Sequence, residues 1–541
     1  MPFPKPRPIP LITASAISLT IYAINTRLTP LYNESSKTST VKPFATAAWG
    51  SNNNLLLSPN PTVGLIKKPT PLPHLQGPWR DLVLAESYGA AVDVNGDCWL
   101  WGTGYCKDGK PGRGLRGKNI KTLASAPAKV YALSHSGSLY VFSPSKAIHS
   151  NFEEPRSSWF SWMVSSNPGV DHVELKAQGG LKWGERWEQV SVGKDHLLAL
   201  TNKGRIFSTP VSEKGNSHRQ LGTRQELLPF PSPSESKLGS KALAPEKDIR
   251  YCSTLTPIPS LANIPISQIC TSSRTSFALT RPRSIGEPHH VLAWGDNSQG
   301  QVGLGTSSAV DTVPVPVEVV FSKSYPTGTK VDPIAINAGG NTTFYTVIHS
   351  PPFPRHGSFI DVLSCGSGLQ GSLGTGSYTS ATCLPVKVKA LSGLVEYDEK
   401  AKDFRPIGVK QMSVSKSITP HVFAILDTLA PGVNQGGEAG RDVLAWGSNV
   451  SYQIGTQKRS STPTPIHLPR LGTKLPEIDR DANGLEFSAT PQLPLPQDRL
   501  TLSIGRADAC DPTGKVLKKG VKCEEVIVAG PGCSILFNKA I

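Results

Sequence analysis

The chain has 541 residues, more than one ordinary hydrophobic core can organise, so it comprises either several domains or a repeat array. It contains 50 glycines and 48 prolines, and only 18% of its residues are charged. This composition favours a turn-dense, all-β array. The formal net charge of +16 is compatible with nucleic acid, an anionic lipid or a basic compartment. Because no run of lysine and arginine resembles a nucleic-acid-binding tail, we favour a basic organellar protein with scattered surface charge.

The 9 cysteines are an odd number, and they include no C-x-x-C pair and no paired histidine ligands beside them. This spacing argues against a zinc site and against a disulfide framework. Several cysteines lie on predicted strands, so we expect buried, reduced thiols.

Residues 1–33 contain Lys5, Arg7 and Arg27 but no acidic residue. A mitochondrial presequence, a secretory signal and a membrane anchor are the three interpretations, and we favour mitochondrial targeting. The apolar run at 9–24 is about 16 residues long and interrupted by Pro10, which is short for a span of roughly 20 residues. It can be retained as an inner-membrane anchor. Residues 34–45 are interpreted as a linker.

The stretch at 291–305 is repeated along the chain. Aligning Trp294 with Trp446 also aligns Gly295 with Gly447, Asn297 with Asn449, Gln301 with Gln453, Val302 with Ile454 and Gly303 with Gly455. A further copy at 362–376 has Cys365 at the tryptophan position and Gly374 at the position of Gly303. Self-similarity at a period of tens of residues predicts a repeat architecture.

Each copy predicts a strand followed by two reversals of the chain. Apolar residues lead into the tryptophan, and the glycine and asparagine that follow suit a turn. The glycines flanking Val302, Leu373 and Ile454 predict a second tight turn that pushes one apolar residue inward. The Pro-Val segments at 314–317 and 385–388 predict short strands at sheet edges.

Seven copies can be counted in chain order. They lie at 46–52, 82–102, 128–143, 187–207, 266–305, 334–376 and 409–455. Asn95-Gly96 in the second copy is a strong hairpin signal, and Phe142 takes the tryptophan place in the third.

The two ends of the chain complement each other. Residues 525–537 have the pattern of two strands without a Trp-Gly end, whereas Trp49-Gly50 is such an end with no strands before it. Pairing them closes a ring and removes exposed strand edges. The sequence therefore predicts an all-β, seven-bladed β-propeller over 46–541, closed by N- and C-terminal strands in one blade.

Long segments rich in proline, serine, glycine and charge separate several copies. We predict surface loops, where partner contacts are expected, at 143–184, 212–247, 427–441 and 470–500. The structural repeat positions of the predicted ring are Trp49, Gly50, Trp101, Gly102, Trp294, Gly295, Gly303, Gly374, Trp446, Gly447 and Gly455.

The repeat resembles that of the regulator of chromosome condensation family, whose fold is a seven-bladed β-propeller. The residues that carry the resemblance are Trp294-Gly295-x-Asn297-x-x-Gly300-Gln301-Val302-Gly303 and an upstream strand pair typified by Val192-Gly193-x-x-His196-x-x-Ala199-Leu200-Thr201. The resemblance covers roughly 46–541, and we find the family's strand-pair histidine at His196 alone. With its acid-free leader, the chain looks like the fungal mitochondrial members, which implies a role in assembling respiratory complex III at the inner membrane.

Two phosphate-binding motifs are matched only in part. Residues 366–371 satisfy G-x-G-x-x-G, but no helical pattern follows, so a dinucleotide site is not expected. Residues 104–111 fall one residue short of a Walker loop, and Pro111 occupies the Ser/Thr position, so we interpret them as a basic surface turn.

No catalytic set of residues emerges. Asp195 and His196 are neighbours on a strand and point to opposite faces, so they cannot form an acid–base pair, and we expect His196 to be packed. His289-His290 lies in a proline-flanked loop and is interpreted as solvated. We expect no enzyme activity, no cofactor and no metal.

The sequence thus predicts a mitochondrial scaffold or assembly factor in the inner membrane or matrix, with respiratory complex subunits as partners. Two alternatives stay open by resemblance. One is guanine nucleotide exchange on a small or dynamin-like GTPase. The other is association with the mitochondrial ribosome or its RNA, which would weaken steeply with salt.

Overall fold

The computed structural model describes residues 46–149, 169–223, 247–305, 310–352, 357–398, 401–428, 441–471 and 499–541. Their strands form seven sheets of at least four strands, the blades, and one separate two-stranded hairpin. The inner strands of the blades contact one another in cyclic order, from blade 1 to blade 7 and back to blade 1. The predicted seven-bladed β-propeller is therefore confirmed. The predicted leader at 1–33 and linker at 34–45 lie outside the described residues.

Each blade has four principal strands, which are named from the central channel outward. Blade 1 has Asp81–Leu84, Gly89–Val92, Cys98–Trp101 and Gly112–Arg113; blade 2 has Ile120–Ser125, Val130–Ser134, Leu139–Phe142 and His172–Glu174. Blade 3 has Trp187–Val192, His196–Thr201, Ile206–Pro210 and Thr254–Pro257; blade 4 has Ile266–Thr271, Thr275–Thr280, Val291–Asp296 and Thr312–Glu318. Blade 5 has Lys330–Gly339, Thr342–Ser350, Phe359–Gly368 and Thr379–Lys387; blade 6 has Val409–Val414, His421–Leu426, Arg441–Gly447 and Thr462–His467. Blade 7 has Val516–Ala529, Cys533–Ala540, Ala47–Ser51 and Leu65–Pro71.

Short elements decorate this ring. Ile504–Cys510 pairs with Val516–Ala529, Lys176–Ala177 extends blade 3, Thr501–Leu502 pairs with blade 6, Pro78–Trp79 runs parallel to Cys533–Ala540, and Val395–Asp398 forms a hairpin with Asp403–Pro406. Within the described ranges, the helical elements are one α-helical turn at Lys146–His149 and 3-10 turns at Pro73–Leu75, Pro259–Leu261, Ser322–Ser324, Leu369–Gly371 and Lys389–Leu391.

Blade 7 joins the two ends of the chain, as the terminal sequences predict. Ala48 pairs with Ile535 and Trp49 with Ser534 in an antiparallel ladder. The inner two strands of this blade come from the C-terminus and the outer two from the N-terminus. The ring therefore closes through backbone hydrogen bonds within one sheet.

The order of strands gives the ring two distinct faces. Turns between inner and second strands, and turns after third strands, lie on what we call the upper face. Turns between second and third strands, and the connections between blades, lie on the lower face. The predicted hairpin at Asn95-Gly96 is a lower-face turn, in which Gly96 has φ of 88°. The proline-bearing segments at 314–317 and 385–388 belong to outer strands, where a missing N–H can face solvent.

Glutamine side chains join neighbouring inner strands. Gln189 of blade 3 donates from Nε2 to Ile269 O (2.9 Å) and accepts from Ile269 N (3.1 Å). Gln268 of blade 4 does the same with Ile336 of blade 5, at 2.9 and 3.0 Å. Each glutamine follows a register irregularity in its own strand, which lets the side chain replace a missing strand partner.

The predicted inserts are only partly loops within the described residues. The range 143–184 contains the outer strand His172–Glu174 and the strand Lys176–Ala177. Residues 212–223 of the range 212–247 form a structured turn in which Gln220 is buried. Most of 427–441 and of 470–500 lies outside the described residues, so these loops stay a prediction.

A buried carboxylate fastens the lower end of blade 5. Asp361 accepts hydrogen bonds from Tyr325 Oη (2.8 Å), Lys387 Nζ (2.7 Å) and His349 Nε2 (3.1 Å). Burial raises the pKa of this carboxyl group, but the bonds from His349 and Lys387 and the charge of Lys387 outweigh it and bring the pKa to about 2. The ionised form is therefore stabilised by folding.

We expect Asp361→Asn to lower the free energy of unfolding at pH 7 by about 2.5 kcal/mol, the value of a pKa shift of just under two units. Since the folded-state pKa is depressed, this contribution is complete above about pH 4 and disappears as the pH falls toward 2. Denaturant unfolding at several pH values measures it. Glu86→Gln, at an exposed position, is the control, and a pH-independent loss in Asp361→Asn would contradict the assignment.

Candidate protein-interaction site

An indole hydrogen bond joins each tryptophan-bearing third strand to the preceding blade. Trp49 Nε1 of blade 7 donates to Gln453 O of blade 6 at 2.7 Å. The other bonds of this kind are Trp101 to Leu56 O, Trp294 to Gln220 O and Trp446 to Ser372 O, each at 2.9 Å. In blade 5, Cys365 Sγ takes the place of the indole at 3.5 Å from Gln301 O. The repeated tryptophan is thus a contact between blades.

The second turn of each copy pushes an apolar residue inward, as predicted. Val302, Leu373 and Ile454 are fully buried. The glycine after each has positive φ, and a Cβ on Gly455 (φ 88°) would lie 2.9 Å from Trp49 Nε1. Glycine is required there because both the backbone conformation and the neighbouring indole exclude a side chain.

Blade 3 has a turn of the repeat that the sequence pattern does not identify, and an asparagine hydrogen bond reveals it. Asn449 Oδ1 accepts from Ile454 N at 2.9 Å. Asn216 Oδ1 accepts from Leu221 N at 3.2 Å in the same geometry, so Gln220-Leu221-Gly222 is the turn of blade 3. Its sequence spacing assigns it to the insert at 212–247, because it lies five residues further from the end of its strand than the turn of blade 4 does.

The family's histidine position is occupied twice, which corrects the prediction of His196 alone. His421 is also the first residue of a second strand and pairs with Gly447. A fixed-spacing search misses it because the preceding upper-face turn, 415–420, is longer than its counterpart at 193–195. The imidazole side chains of His196 and His421 are both fully buried.

Each histidine belongs to a chain of hydrogen bonds that joins two neighbouring blades. His421 Nε2 lies 2.9 Å from Ser534 Oγ, and Ser534 Oγ donates to Gln453 O, the acceptor of Trp49. Since the serine proton goes to the carbonyl, the imidazole donates from Nε2. His196, Ser276 and Gln220 repeat this arrangement. Burial lowers the pKa of both imidazoles to about 3, so both are neutral and structural.

The predicted repeat positions all lie at the ends of third strands or in the turns that follow. Each tryptophan among them is fully buried. The glycines 50, 102, 295, 303, 374, 447 and 455 all have positive φ. These residues therefore position the surface turns and do not themselves form a binding surface.

A lysine crosses the upper mouth of the central channel. Lys416, in the long turn of blade 6, donates from Nζ to Ser125 O of blade 2 (2.8 Å) and to Val192 O of blade 3 (2.9 Å). The Lys416 side chain is solvent-exposed although protein lies on several sides of it, as expected for a residue at the mouth of a channel. Its desolvation lowers the pKa to about 8. Blades on opposite sides of the ring are thereby joined.

Two clefts flank the upper-face turn of blade 6, residues 448–461, which we call the blade-6 turn. The cleft toward blade 5 has a volume of about 530 Å³ and is lined by Leu369, Tyr378, Val450 and Arg459, among others. Tyr378 Oη donates to Ser461 O at 2.8 Å across it. The cleft toward blade 7, of about 580 Å³, is lined by residues of 57–74 and by Gln457.

Positive charge and exposed apolar groups coincide at these clefts. The segments 52–71, 367–380 and 448–461 contain no acidic residue, and they carry Lys67, Lys68, Lys458 and Arg459. Leu369 is 49% exposed and Tyr378 is 59% exposed. An exposed tyrosine and arginine beside a cleft are typical anchors of protein interfaces. The clefts and the blade-6 turn form the candidate site, and we find no sequence signal that singled them out.

The two partial phosphate-binding motifs lie in turns of the repeat. Residues 366–371 end a third strand and enter the 3-10 turn Leu369–Gly371. Residues 104–111 belong to the upper-face turn of blade 1, where Lys110 is exposed. Asp195, as predicted, does not pair with His196; it accepts from Ser212 Oγ at 2.8 Å.

His289 and His290 are partly exposed to solvent, in line with their interpretation as solvated, but each also has a carboxylate partner. His289 Nδ1 lies 2.9 Å from Asp332 Oδ1, and His290 Nδ1 lies 2.7 Å from Glu318 Oε1. Both carboxylates come from other strands and are distant in sequence, so the loop alone could not reveal the pairs.

Nine free thiols are distributed over the blades. Cys98, Cys365, Cys523 and Cys533 are buried, as predicted, and the remaining five are only partly buried. Burial raises the pKa of Cys533 and Cys270 to about 12, which keeps these thiols protonated.

Over the described ranges, no three His, Cys, Asp or Glu side chains converge so as to hold a metal ion. Among the same residues, no helix has the length and apolar character needed to cross a bilayer.

The strand order defines a seven-bladed β-propeller, in which four indoles and one thiol bond to turns of the preceding blade. The model of the regulator of chromosome condensation (RCC1) repeat matches residues 289–345. The mitochondrial protein FMP25 of Saccharomyces cerevisiae is 23% identical over 421 residues, which cover 74% of this chain and 63% of that protein. The chain therefore spans less than two thirds of this relative. The probable E3 ubiquitin-protein ligase HERC3 of Homo sapiens is 33% identical over 116 residues, 21% of this chain and 8% of that protein.

Solved structures support the same fold. Prp20p from Saccharomyces cerevisiae matches with a TM-score of 0.53 and 16% identity, covering 93% of both chains. Human WBSCR16 matches with a TM-score of 0.53 and 15% identity, covering 92% of this chain and 100% of that one. At these identities the likeness concerns the fold alone.

We expect Trp446→Ala to lower the free energy of unfolding by about 3 to 5 kcal/mol, because a fully buried indole and its bond to Ser372 O are lost. Trp294→Ala is expected to behave alike. Trp183→Ala, at a position that is 97% exposed, is the matched control and should stay within about 0.5 kcal/mol of the parent. Urea unfolding followed by circular dichroism gives all three values, and equal effects would contradict the blade assignment.

Proposed function

We propose that this chain is a non-catalytic scaffold of mitochondria that acts in the biogenesis of respiratory complex III at the inner membrane. The observation that carries the proposal is the similarity to the mitochondrial protein FMP25 across 74% of the chain. The basic, acid-free segment 1–33 supports a mitochondrial destination. The RCC1-type propeller supports a binding role, since functional groups of such a ring are displayed on its turns.

The blade-6 turn and its two clefts are the surface that we assign to partner proteins. The ring holds this turn through Asn449, which caps it, and through Gln453 O, which accepts from Trp49. The acid-free, cationic surroundings favour a partner with an acidic surface. Tyr378 and Arg459 lie on the cleft toward blade 5 and supply an aromatic and a guanidinium anchor.

In a strain that lacks the chromosomal copy, Tyr378→Ala and Arg459→Glu together should reduce assembled complex III at least about fivefold, the effect of losing roughly 1 kcal/mol of partner binding. Blue native electrophoresis with a cytochrome b signal measures it. Tyr397→Ala with Arg506→Glu is the matched control, since these side chains are exposed elsewhere.

The double variant must melt with the parent protein for this comparison to apply. Normal complex III in the absence of the whole chain would refute the proposed process. Normal complex III in the Tyr378 and Arg459 variant alone would refute only the assigned surface.

Nucleotide exchange on a GTPase is the second candidate, favoured by the fold shared with Prp20p, whose structural report names binding to Gsp1p and histones. Release of a fluorescent guanine nucleotide from purified mitochondrial GTPases tests it. Acceleration by the purified chain would support exchange, and an unchanged release rate across the GTPases would remove it.

A further inference from the structure

The lower face of blades 3 and 4 displays two apolar side chains that touch almost nothing. Trp183 is 97% exposed, and Ile285 is fully exposed. Trp183 lies in the connection that precedes the inner strand of blade 3, and Ile285 lies between the second and third strands of blade 4. Neither side chain contributes to the core, so the folding of the ring does not explain them.

The two side chains occupy turns of the same design. Lys182-Trp183-Gly184-Glu185 and Ser284-Ile285-Gly286-Glu287 each place a glycine and then a glutamate after the exposed residue. Glu185 N donates to Lys182 O at 2.9 Å, and Glu287 N donates to Ser284 O at 3.3 Å. The glycines have φ of 70° and 89°, the conformation of the third residue in a type II turn.

The glutamate side chain of each turn accepts hydrogen bonds from nearby backbone N–H groups and so fixes the conformation of the turn. Glu185, whose side chain is buried, accepts from Lys182 N (2.8 Å), Thr201 Oγ1 (2.7 Å) and Arg205 Nε (3.0 Å). Glu287 accepts from the backbone N–H of Arg283 at 2.8 Å and of Ser284 at 3.2 Å. Lys203 Nζ also donates to Trp183 O at 2.7 Å. Both exposed residues are therefore presented on pre-ordered turns, which limits the entropy lost on binding.

Basic residues predominate in the chain segments that carry these tips and in the neighbouring segment 202–205. The segments 176–188, 202–205 and 281–290 hold seven lysines and arginines and three glutamates, two of which are the turn glutamates already described. The cations are Lys176, Lys182, Arg186, Lys203, Arg205, Arg281 and Arg283. Asp332 and Glu318, which contact His289 and His290, bring the carboxylates to five against these seven cations. The remaining excess of positive charge favours an anionic binding partner.

We propose that the turns bearing Trp183 and Ile285 dock this face of the ring onto an anionic phospholipid bilayer. The apolar tips stand on separate turns, and a bilayer interface accepts separate tips without a complementary pocket. Tryptophan suits the interface between lipid tails and head groups, because its ring is apolar while its N–H can still bond to water or to head groups. The surrounding cations pair with lipid phosphates. This inference does not depend on the proposed role in complex III.

The test uses flotation of the purified full chain with vesicles of phosphatidylcholine alone or mixed with phosphatidylglycerol. We expect binding that requires phosphatidylglycerol. Trp183→Ala should weaken it about tenfold, as expected for one large buried apolar side chain. Lys182→Gln should weaken it about fivefold, the effect of one cation near the surface.

Ile418→Ala and Lys110→Gln, at exposed positions of other upper-face turns, are matched controls and should bind vesicles as the parent does. Fluorescence quenching is a second measurement, which reports the position of Trp183 itself. It is needed because residues 1–33 can also contribute to the total vesicle affinity. Lipids brominated in their acyl chains should quench a component of the fluorescence that is absent in Trp183→Phe.

Parental vesicle binding by Trp183→Ala together with identical quenching in Trp183→Phe would overturn the proposal. So would loss of a co-purifying acidic protein in Trp183→Ala with vesicle binding unchanged, which would identify a protein as the occupant. Normal complex III alongside failed vesicle docking would refute this inference and leave the proposed function standing.

Discussion

The hydrogen bond from a third-strand indole to a turn carbonyl of the preceding blade is the interaction on which the ring depends. A single four-stranded blade has two apolar faces and cannot shelter both of them. The indole of Trp446, for example, packs in a cluster shared by blades 5 and 6, while its N–H reaches Ser372 O. One side chain thereby buries area between blades and satisfies a carbonyl that the turn leaves unpaired. Where the repeat varies, Cys365 keeps the direction of this bond.

Closure of the ring follows from the same interaction. Trp49 comes from the N-terminus, its sheet partner Ser534 from the C-terminus, and both donate to Gln453 O of blade 6. The contact between blades 6 and 7 therefore includes residues from both ends of the chain. Lys416 adds a second connection, since its ammonium group joins carbonyls of blades 2 and 3 to blade 6. Motions that widen the upper mouth must break these bonds.

The sequence predicted the blade count and the closure because both depend on short-range signals. Trp-Gly ends, Asn-Gly turns and flanking glycines report local backbone requirements, and the described residues agree with them. The prediction failed where spacing changed. Gln220-Leu221-Gly222 and His421 occupy repeat positions, but longer turns precede them, and a fixed period does not find them. A local sequence pattern cannot predict contacts between residues that are distant in sequence. The pair of His289 with Asp332 and the hydrogen bonds to Asp361 are examples.

The candidate surfaces were hidden for a different reason. A cleft depends on how two turns from neighbouring blades are placed, and sequence periodicity carries no such information. An exposed tryptophan in the sequence is indistinguishable from a buried one, and Trp183 differs from Trp187 only in its surroundings. Because the second strands are buried on both sides, as in His196–Thr201 and His421–Leu426, substitution there changes stability before it changes binding. Recognition is therefore confined to the turns. The upper face offers clefts without acidic residues, whereas blades 3 and 4 of the lower face offer apolar tips among cations. A ring held in one shape can engage a protein on one face and a bilayer on the other, since neither contact needs the blades to move.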